Sequence, residues 1–217
     1  MEKEREPQEA GRKTTFTESQ IVGVEPLVLA SASPRRAEIL RAVGWPFRVE
    51  AGDVDERAFG REEPSKYAER LAQAKAEQIA ARLVGLAARE SLRDLVLGAD
   101  TIVVTDGTTL GKPRDEQDAR QMLQTLRGRT HEVITGVALV RATTNEHRIA
   151  HERTRVRFAQ MSDAEIDWYV ATNEPADKAG AYAVQGRAAL FIEAIEGDYW
   201  NVVGLPVGLV YRLAREL

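Results

Sequence analysis

The stretch Ser31-Ala32-Ser33-Pro34-Arg35-Arg36-Ala37 puts two guanidinium groups where a helix least favours cations. Ser33-Pro34 is a standard helix opening, with Ser as N-cap and Pro at the first helical position, so Arg35 and Arg36 fall in the first turn. No Asp or Glu in that turn compensates them, and each opposes the helix dipole by roughly 0.3–1 kcal/mol. The preceding run Pro26–Ala30 is short, apolar and strand-like. A strand, a turn, free helix N–H groups and two guanidinium forks together suit an anion, a phosphate chain above all. The alternative is a pair of solvated surface arginines.

Lys75 is the second anomaly. Tyr67, Leu71, Ile79 and Leu83 recur every four residues along an Ala-rich helical segment, and Lys75 occupies the missing step. Its ammonium either snorkels out of a small-residue patch or points into a cavity. Asp100 is the third, because it interrupts the apolar strand LVLGADTIVV, where a buried carboxylate needs a cation or metal partner. It reads either as a strand-end group beside the crevice of an open sheet or as a turn-closing or capping Asp. Glu56, with Asp53 and Asp55 close by, could supply a second oxygen ligand for magnesium or belong to a solvated acidic loop. Lys112, in the rigid Gly111-Lys112-Pro113 loop, is a candidate phosphate contact.

The elements that must position these groups follow from patterning. A helix from Pro34 ends at Gly44, a second strand covers Pro46 to Glu50, and a long helix runs from Pro64 to about Val84. Leu95 to Val104 is a buried strand closed by an Asp106-Gly107 hairpin-type turn. A helix from about Asp115 to Leu126 is capped by Gly128, and two β-rich segments cover Glu132 to Arg141 and Arg148 to Ala159. Ser162 to Glu165 is a capping box opening a helix to about Ala171. A Gly-containing loop at Asp177 to Tyr182, a strand near Ala189 to Glu193 and a final helix opened by Pro206 complete the chain. Strands alternate with helices first and cluster later, so the fold class is α/β with a mixed, twisted central sheet.

At 217 residues the chain can bury one core, as a single domain or one domain with two lobes. A formal net charge of −4 argues against a general nucleic-acid or anionic-membrane binder. Zero cysteines exclude disulfides, thiol catalysis and Cys-ligated zinc. The three histidines, His131, His147 and His151, are too few and scattered for a His-based metal site, so any metal is a hard ion on carboxylates. Residues 1–25 are charged and polar, lack the apolar core of a signal peptide, and read as a disordered N-terminal extension to a single catalytic domain at 26–217. No apolar run reaches membrane-spanning length, and a cytoplasmic enzyme is expected.

Taken together, LASASPRRAEIL, DVDE, AQAKA, GADT, GKPRD, GRTH, TGVAL, DKAGAYAVQG and NVVGLP resemble, in order and approximate spacing, the Maf family of nucleoside triphosphate pyrophosphatases. The resemblance covers about Leu27 to the C-terminus. It implies a two-lobed α/β fold around a cleft, similar in architecture to inosine triphosphate pyrophosphatases, commonly as a homodimer. It also implies hydrolysis of a nucleoside triphosphate to the monophosphate and pyrophosphate with a divalent metal cation, Mg or Mn. By the same resemblance the catalytic aspartate is Asp100, with Glu56 and Lys75 beside it, and Glu56 and Asp100 hold the metal. Arg36, Lys75 and Lys112 bind phosphate, and Ser31 and Ser33 line the first loop. Arg35, Thr101 and Gln185 set substrate choice. Their identities are similar to the branch acting on dTTP and UTP, whereas the 7-methyl-GTP branch carries a bulky aromatic, Gln and Glu there. A neutral Gln and an Arg can pair with the carbonyl and imide edge of a pyrimidine. The readings set against this are a broad or inosine/xanthosine-type nucleotide pyrophosphatase and a non-catalytic regulator of septum formation in cell division.

Overall fold

The computed structural model describes residues 24–56, 62–85 and 94–217. The expected extension therefore lies outside the described residues except for its last two positions. Those are not free: Val24 packs on the core, and Glu25 accepts a hydrogen bond from Trp45 through its carbonyl and pairs with Arg141 through its carboxylate.

The elements run β1 (Leu27–Leu29), α1 (Pro34–Ala42), β2 (Phe47–Val49), α2 (Pro64–Gly85), β3 (Leu95–Thr105), β4 (Thr108–Leu110), α3 (Glu116–Leu126), β5 (Thr130–Arg141), β6 (His147–Phe158), α4 (Asp163–Val170), β7 (Ile192–Glu196), α5 (Tyr199–Val203) and α6 (Val207–Ala214). The strands form one mixed sheet in the order β2-β1-β3-β5-β6-β7, with β4 also on β3. β1 is parallel to β2 and β3, and the remaining pairings are antiparallel. Among the described residues no helix is long and apolar enough to cross a membrane.

One sequence expectation is corrected. The segment expected as a strand near Ala189 to Glu193 is a 3-10 turn over Arg187–Phe191, with β7 starting at Ile192. Its buried residues, Ala188 and Phe191, are three apart, the period of a 3-10 turn rather than of a strand. α5 was not anticipated; Asp198 caps it by accepting from the amides of Trp200 and Asn201 at 2.7 and 3.4 Å.

The alternation of β3 sorts the molecule into layers. Leu95, Leu97 and Ala99 pack with α1, α6 and Val203 of α5, whereas Val96 packs with Ala72, Ala76 and Ile79 of α2. Where β3 continues, Val103 joins a separate cluster with Leu123, Phe158, Tyr169 and Phe191. α2 lies unusually close to the sheet because Gly98 and Gly136 face it. A Cβ on Gly98 would sit 2.0 Å from the Ala72 carbonyl oxygen, and one on Gly136 would sit 2.2 Å from that of Ala68. The small residues Ala68, Ala72 and Ala76, all fully buried, complete this close contact.

One edge of β3 is divided. β1 covers Leu95–Leu97 and β4 covers Val103–Thr105, so among the described residues Gly98–Ile102 have a strand neighbour only on the β5 side. The gap opens the middle of a buried strand to a cavity.

Candidate active site

The cavity at that gap is about 590 Å³. Ser31, Ser33, Arg35, Arg36, Glu56, Lys75, Asp100, Thr101, Lys112 and Gln185 all line it, so the structure brings every sequence-predicted site residue to one cleft. Because the cleft enters at a strand edge, it reaches side chains from both faces of the sheet: Asp100 on the α2 face and Thr101 on the other.

On the α2 face, Asp100 meets Lys75. The ammonium donates to Asp100 Oδ1 at 2.6 Å and pairs with Glu56 Oε1 at 2.8 Å. Lys75 therefore points into the cavity rather than snorkelling, and Asp100 is neither a turn-closing nor a capping residue. The acidic loop that carries Glu56 is clamped by one face of α2. The Tyr67 hydroxyl donates to the Glu56 carbonyl at 2.6 Å, the Gln78 amide to the Asp53 carbonyl at 2.5 Å, and Arg82 to the Ala51 carbonyl at 3.3 Å. Burial alone would raise the Glu56 carboxyl. The hydrogen bond from Lys75 and the charges of Lys75, Lys112 and Arg36 outweigh it and hold Glu56 below the usual carboxylate range. Tyr67 is pushed up, by burial first and then by the carboxylates of Asp100 and Glu56, and stays a neutral donor.

On the opposite face, Arg36 is almost wholly buried. It donates Nε–H to the Gly204 carbonyl at 3.0 Å, one terminal nitrogen to Ser31 Oγ at 3.0 Å and the other to Thr101 Oγ1 at 3.2 Å. Burial pulls its pKa below the ordinary guanidinium value, which leaves it a cation at neutral pH. Ser33 occupies the N-cap backbone position without making the expected side-chain cap. Its amide instead donates to Ser31 Oγ at 3.2 Å, so Ser31 is the anchor of the loop. Thr101 extends this network. Its hydroxyl lies 3.0 Å from that of Thr135, Thr135 donates to the Asn201 carbonyl at 3.3 Å, and the Asn201 amide donates to Val133 O and Thr154 Oγ1, both at 3.0 Å. This buried polar chain crosses three strands and ties the site to α5.

The third wall comes from the loop after α4. Gly180 N–H donates to the Gly111 carbonyl at 3.0 Å, which fixes the Lys112 loop against residues 177–181. Gly180 and Ala181 both have positive φ, 67° and 60°, and Ala181 is fully buried. A left-handed Ala is mildly strained, a feature that gathers at functional sites. Lys178 lines the cleft and pairs with Asp177, whose other partner is Arg35 at 3.8 Å. Tyr182 also lines the cleft, with its hydroxyl 2.8 Å from Nε2 of the buried His131. Asp177, Lys178 and Tyr182 lie within the DKAGAYAVQG motif and Tyr67 in the stripe of α2, but none was given a site role from the sequence. The signal available was two charges directly before a Gly-containing loop, which resembles an ordinary solvated turn.

Among the described residues no group of three or more His, Cys, Asp or Glu comes together to cage a metal. Asp100 and Glu56 nevertheless converge on a single ammonium and present only oxygen donors. Magnesium is commonly bound by one or two carboxylates with water and substrate phosphate oxygens completing its shell. The donor set fits such an ion.

Comparisons with known proteins agree with the motif pattern. The family model described as Maf-like protein matches residues 26–217. The chain is 54% identical over 184 residues to a dTTP/UTP pyrophosphatase of Symbiobacterium thermophilum, covering 85% of this chain and 90% of the relative. It is 50% identical over 189 residues to a dTTP/UTP pyrophosphatase of Koribacter versatilis, covering 87% and 93%. Among solved structures it is similar to the Staphylococcus aureus Ham1 protein at 13% identity and a TM-score of 0.42, over 62% of this chain and 72% of that one.

Proposed function

The chain belongs to the Maf-like protein family, and from that membership and the chemistry of the cleft we propose that it is a nucleoside triphosphate pyrophosphatase acting on dTTP and UTP. The observation that carries the reading is Lys75, which holds Asp100 and Glu56 together at the open edge of β3. Around them the same cleft gathers Arg35, Lys112 and Lys178 as exposed or half-exposed cations and Gln185 as a neutral amide. Such a cleft suits a polyphosphate with a polar, uncharged base.

Glu56 and Asp100 would hold a divalent cation, Mg or Mn, and when bound it would neutralise charge on the triphosphate. Lys75 fixes Asp100 through Oδ1, and among the described residues Oδ2 accepts no hydrogen bond. We assign to that oxygen the proton of a water attacking the α-phosphorus. As the water oxygen bonds to phosphorus, the bond to the α–β bridging oxygen breaks and pyrophosphate departs with that electron pair. Lys75 and Lys112 stabilise the charge that moves onto the leaving group, since positioning and electrostatics dominate phosphoryl transfer. Arg36, bonded on three sides within the protein, contributes charge from beneath while bracing Ser31 and Thr101. Arg35 and Gln185 would read the pyrimidine edge. Assembly as a homodimer in the cytoplasm completes the reading, and sedimentation tests the assembly.

The experiment is pyrophosphate release across a panel of common, methylated and deaminated triphosphates with Mg²⁺ or Mn²⁺. The expected result is turnover of dTTP and UTP above the purine and 7-methylguanine nucleotides. Preferential turnover of inosine or xanthosine triphosphate, or binding with no turnover, contradicts the proposal.

A further inference from the structure

Gln185 makes no hydrogen bond through its side chain among the described residues, and it is exposed in the cleft. An amide that is to read a base edge must nonetheless be held in place by its backbone, and the bonds that hold this one come from outside the cleft. Glu174 begins a 3-10 turn just after α4, next to Asn173 at φ 60°. Its carboxylate accepts from the Arg187 amide at 3.0 Å, from the Ala188 amide at 3.4 Å and from the Tyr169 hydroxyl at 2.8 Å. The same Tyr169 hydroxyl accepts from the Ala183 amide at 3.3 Å. Tyr169 is fully buried, and burial followed by Glu174 pushes its pKa up, so it remains a neutral donor. Gly186 lies against the carboxylate, where a Cβ would be 2.2 Å from Glu174 Oε1. A bond from the Gly186 amide to the Ala183 carbonyl, 3.0 Å, closes the turn. Gln185 therefore sits between Ala183 on one side and Arg187 and Ala188 on the other, all three amides anchored directly or through Tyr169 on one carboxylate.

We propose that Glu174 is a positioning residue for nucleotide selection: through Tyr169 and the amides of Arg187 and Ala188 it fixes the backbone that aims Gln185 at the base. This deepens the assignment of Gln185 as base reader and rests on it. A carboxylate suits the task because it can accept from three donors at once, whereas an amide oxygen in its place leaves one or more of those N–H or O–H groups without a partner. Glu174 does not line the cavity, so its influence runs through the loop and not through contact with phosphate or metal.

The test is the ratio of kcat/KM for UTP to that for GTP in Glu174→Gln, Gln185→Ala and the double variant, with the inhibition constant of inorganic tripolyphosphate as a base-free control. Glu174→Gln is expected to lower the ratio about tenfold, mainly through the KM for UTP, with tripolyphosphate inhibition unchanged. In the Gln185→Ala background it is expected to lower the ratio no further. Gly186→Ala, which keeps the carboxylate but takes its space, is expected to reproduce the loss. An unchanged ratio in both Glu174→Gln and Gly186→Ala overturns the proposal, as does an equal further loss in the Gln185→Ala background. So does a uniform fall in kcat for every nucleotide. Absence of any preference for UTP in the wild-type enzyme refutes the assignment of Gln185, a separate outcome from the failure of Glu174.

Discussion

Replacing Gly98 with Ala adds one methyl group two residues from Asp100, on the face of β3 that meets α2. The new Cβ would lie 2.0 Å from the Ala72 carbonyl oxygen and 2.9 Å from the Ala76 amide nitrogen. Both are helix backbone, so no side-chain rotation relieves the clash, and α2 has to withdraw by at least an ångström to reach the closest separation that Cβ atoms show. Overpacking of this kind costs about 1–3 kcal/mol. In a chain of this length that lowers Tm by about 2–4 °C per kcal/mol. Lys75 travels with α2, and its 2.6 Å bond to Asp100 cannot survive an ångström of separation as a good hydrogen bond. Misplacement of that size costs about a hundredfold in rate. Pyrophosphate release from dTTP in Gly98→Ala is therefore expected to fall about a hundredfold, out of proportion to a modest loss of Tm. Gly85→Ala, where a Cβ meets nothing within 4 Å among the described residues, serves as the neutral control. If Gly98→Ala retains activity within about threefold of wild type, the link between close helix packing and the Lys75–Asp100 contact is wrong.

Two further predictions follow from the site. His131 is buried with its Nδ1 unpartnered among the described residues, and burial lowers its pKa from 6.5 to about 4. Between those values the unfolded chain binds a proton that the folded chain does not, so stability present above pH 6.5 is lost as pH falls towards 4, by about 1.4 kcal/mol per pH unit. Denaturant titrations of wild type and His131→Gln over that window are expected to show the variant with the shallower slope; equal slopes contradict the assignment. Gln185→Glu is expected to reduce turnover of dTTP and UTP more than it lowers Tm, and an unchanged preference in a side-by-side nucleotide panel removes Gln185 from base recognition.

Much of this site could be read from periodicity. Lys75 stood out as the charged step in a four-residue stripe, and Asp100 as the acid in an apolar strand; those two anomalies are one ion pair, because residue 100 of β3 faces α2. Helix starts with local chemistry were equally legible, as at the Ser162–Glu165 capping box, where both reciprocal bonds form. Less legible was anything decided by tertiary partners. Arg36 looked like a free phosphate fork, yet three of its five N–H donors go to Ser31, Thr101 and the carbonyl of Gly204, a residue 168 positions away. The expected side-chain cap from Ser33 is absent, and its backbone amide binds Ser31. The gap in the edge of β3, which turns a buried carboxylate into a cleft residue, depends on the lengths of β1 and β4 and leaves no pattern within β3 itself.

The account turns on Asp100 as the group that takes the proton from the attacking water. The most direct measurement is pyrophosphate release from dTTP by Asp100→Asn beside wild type, with the thermal transition of both recorded. The amide is nearly isosteric and can still accept from Lys75, so the variant is expected to fold with a similar Tm while turnover falls by about two to four orders of magnitude. Turnover close to wild type in a folded Asp100→Asn protein contradicts the mechanism.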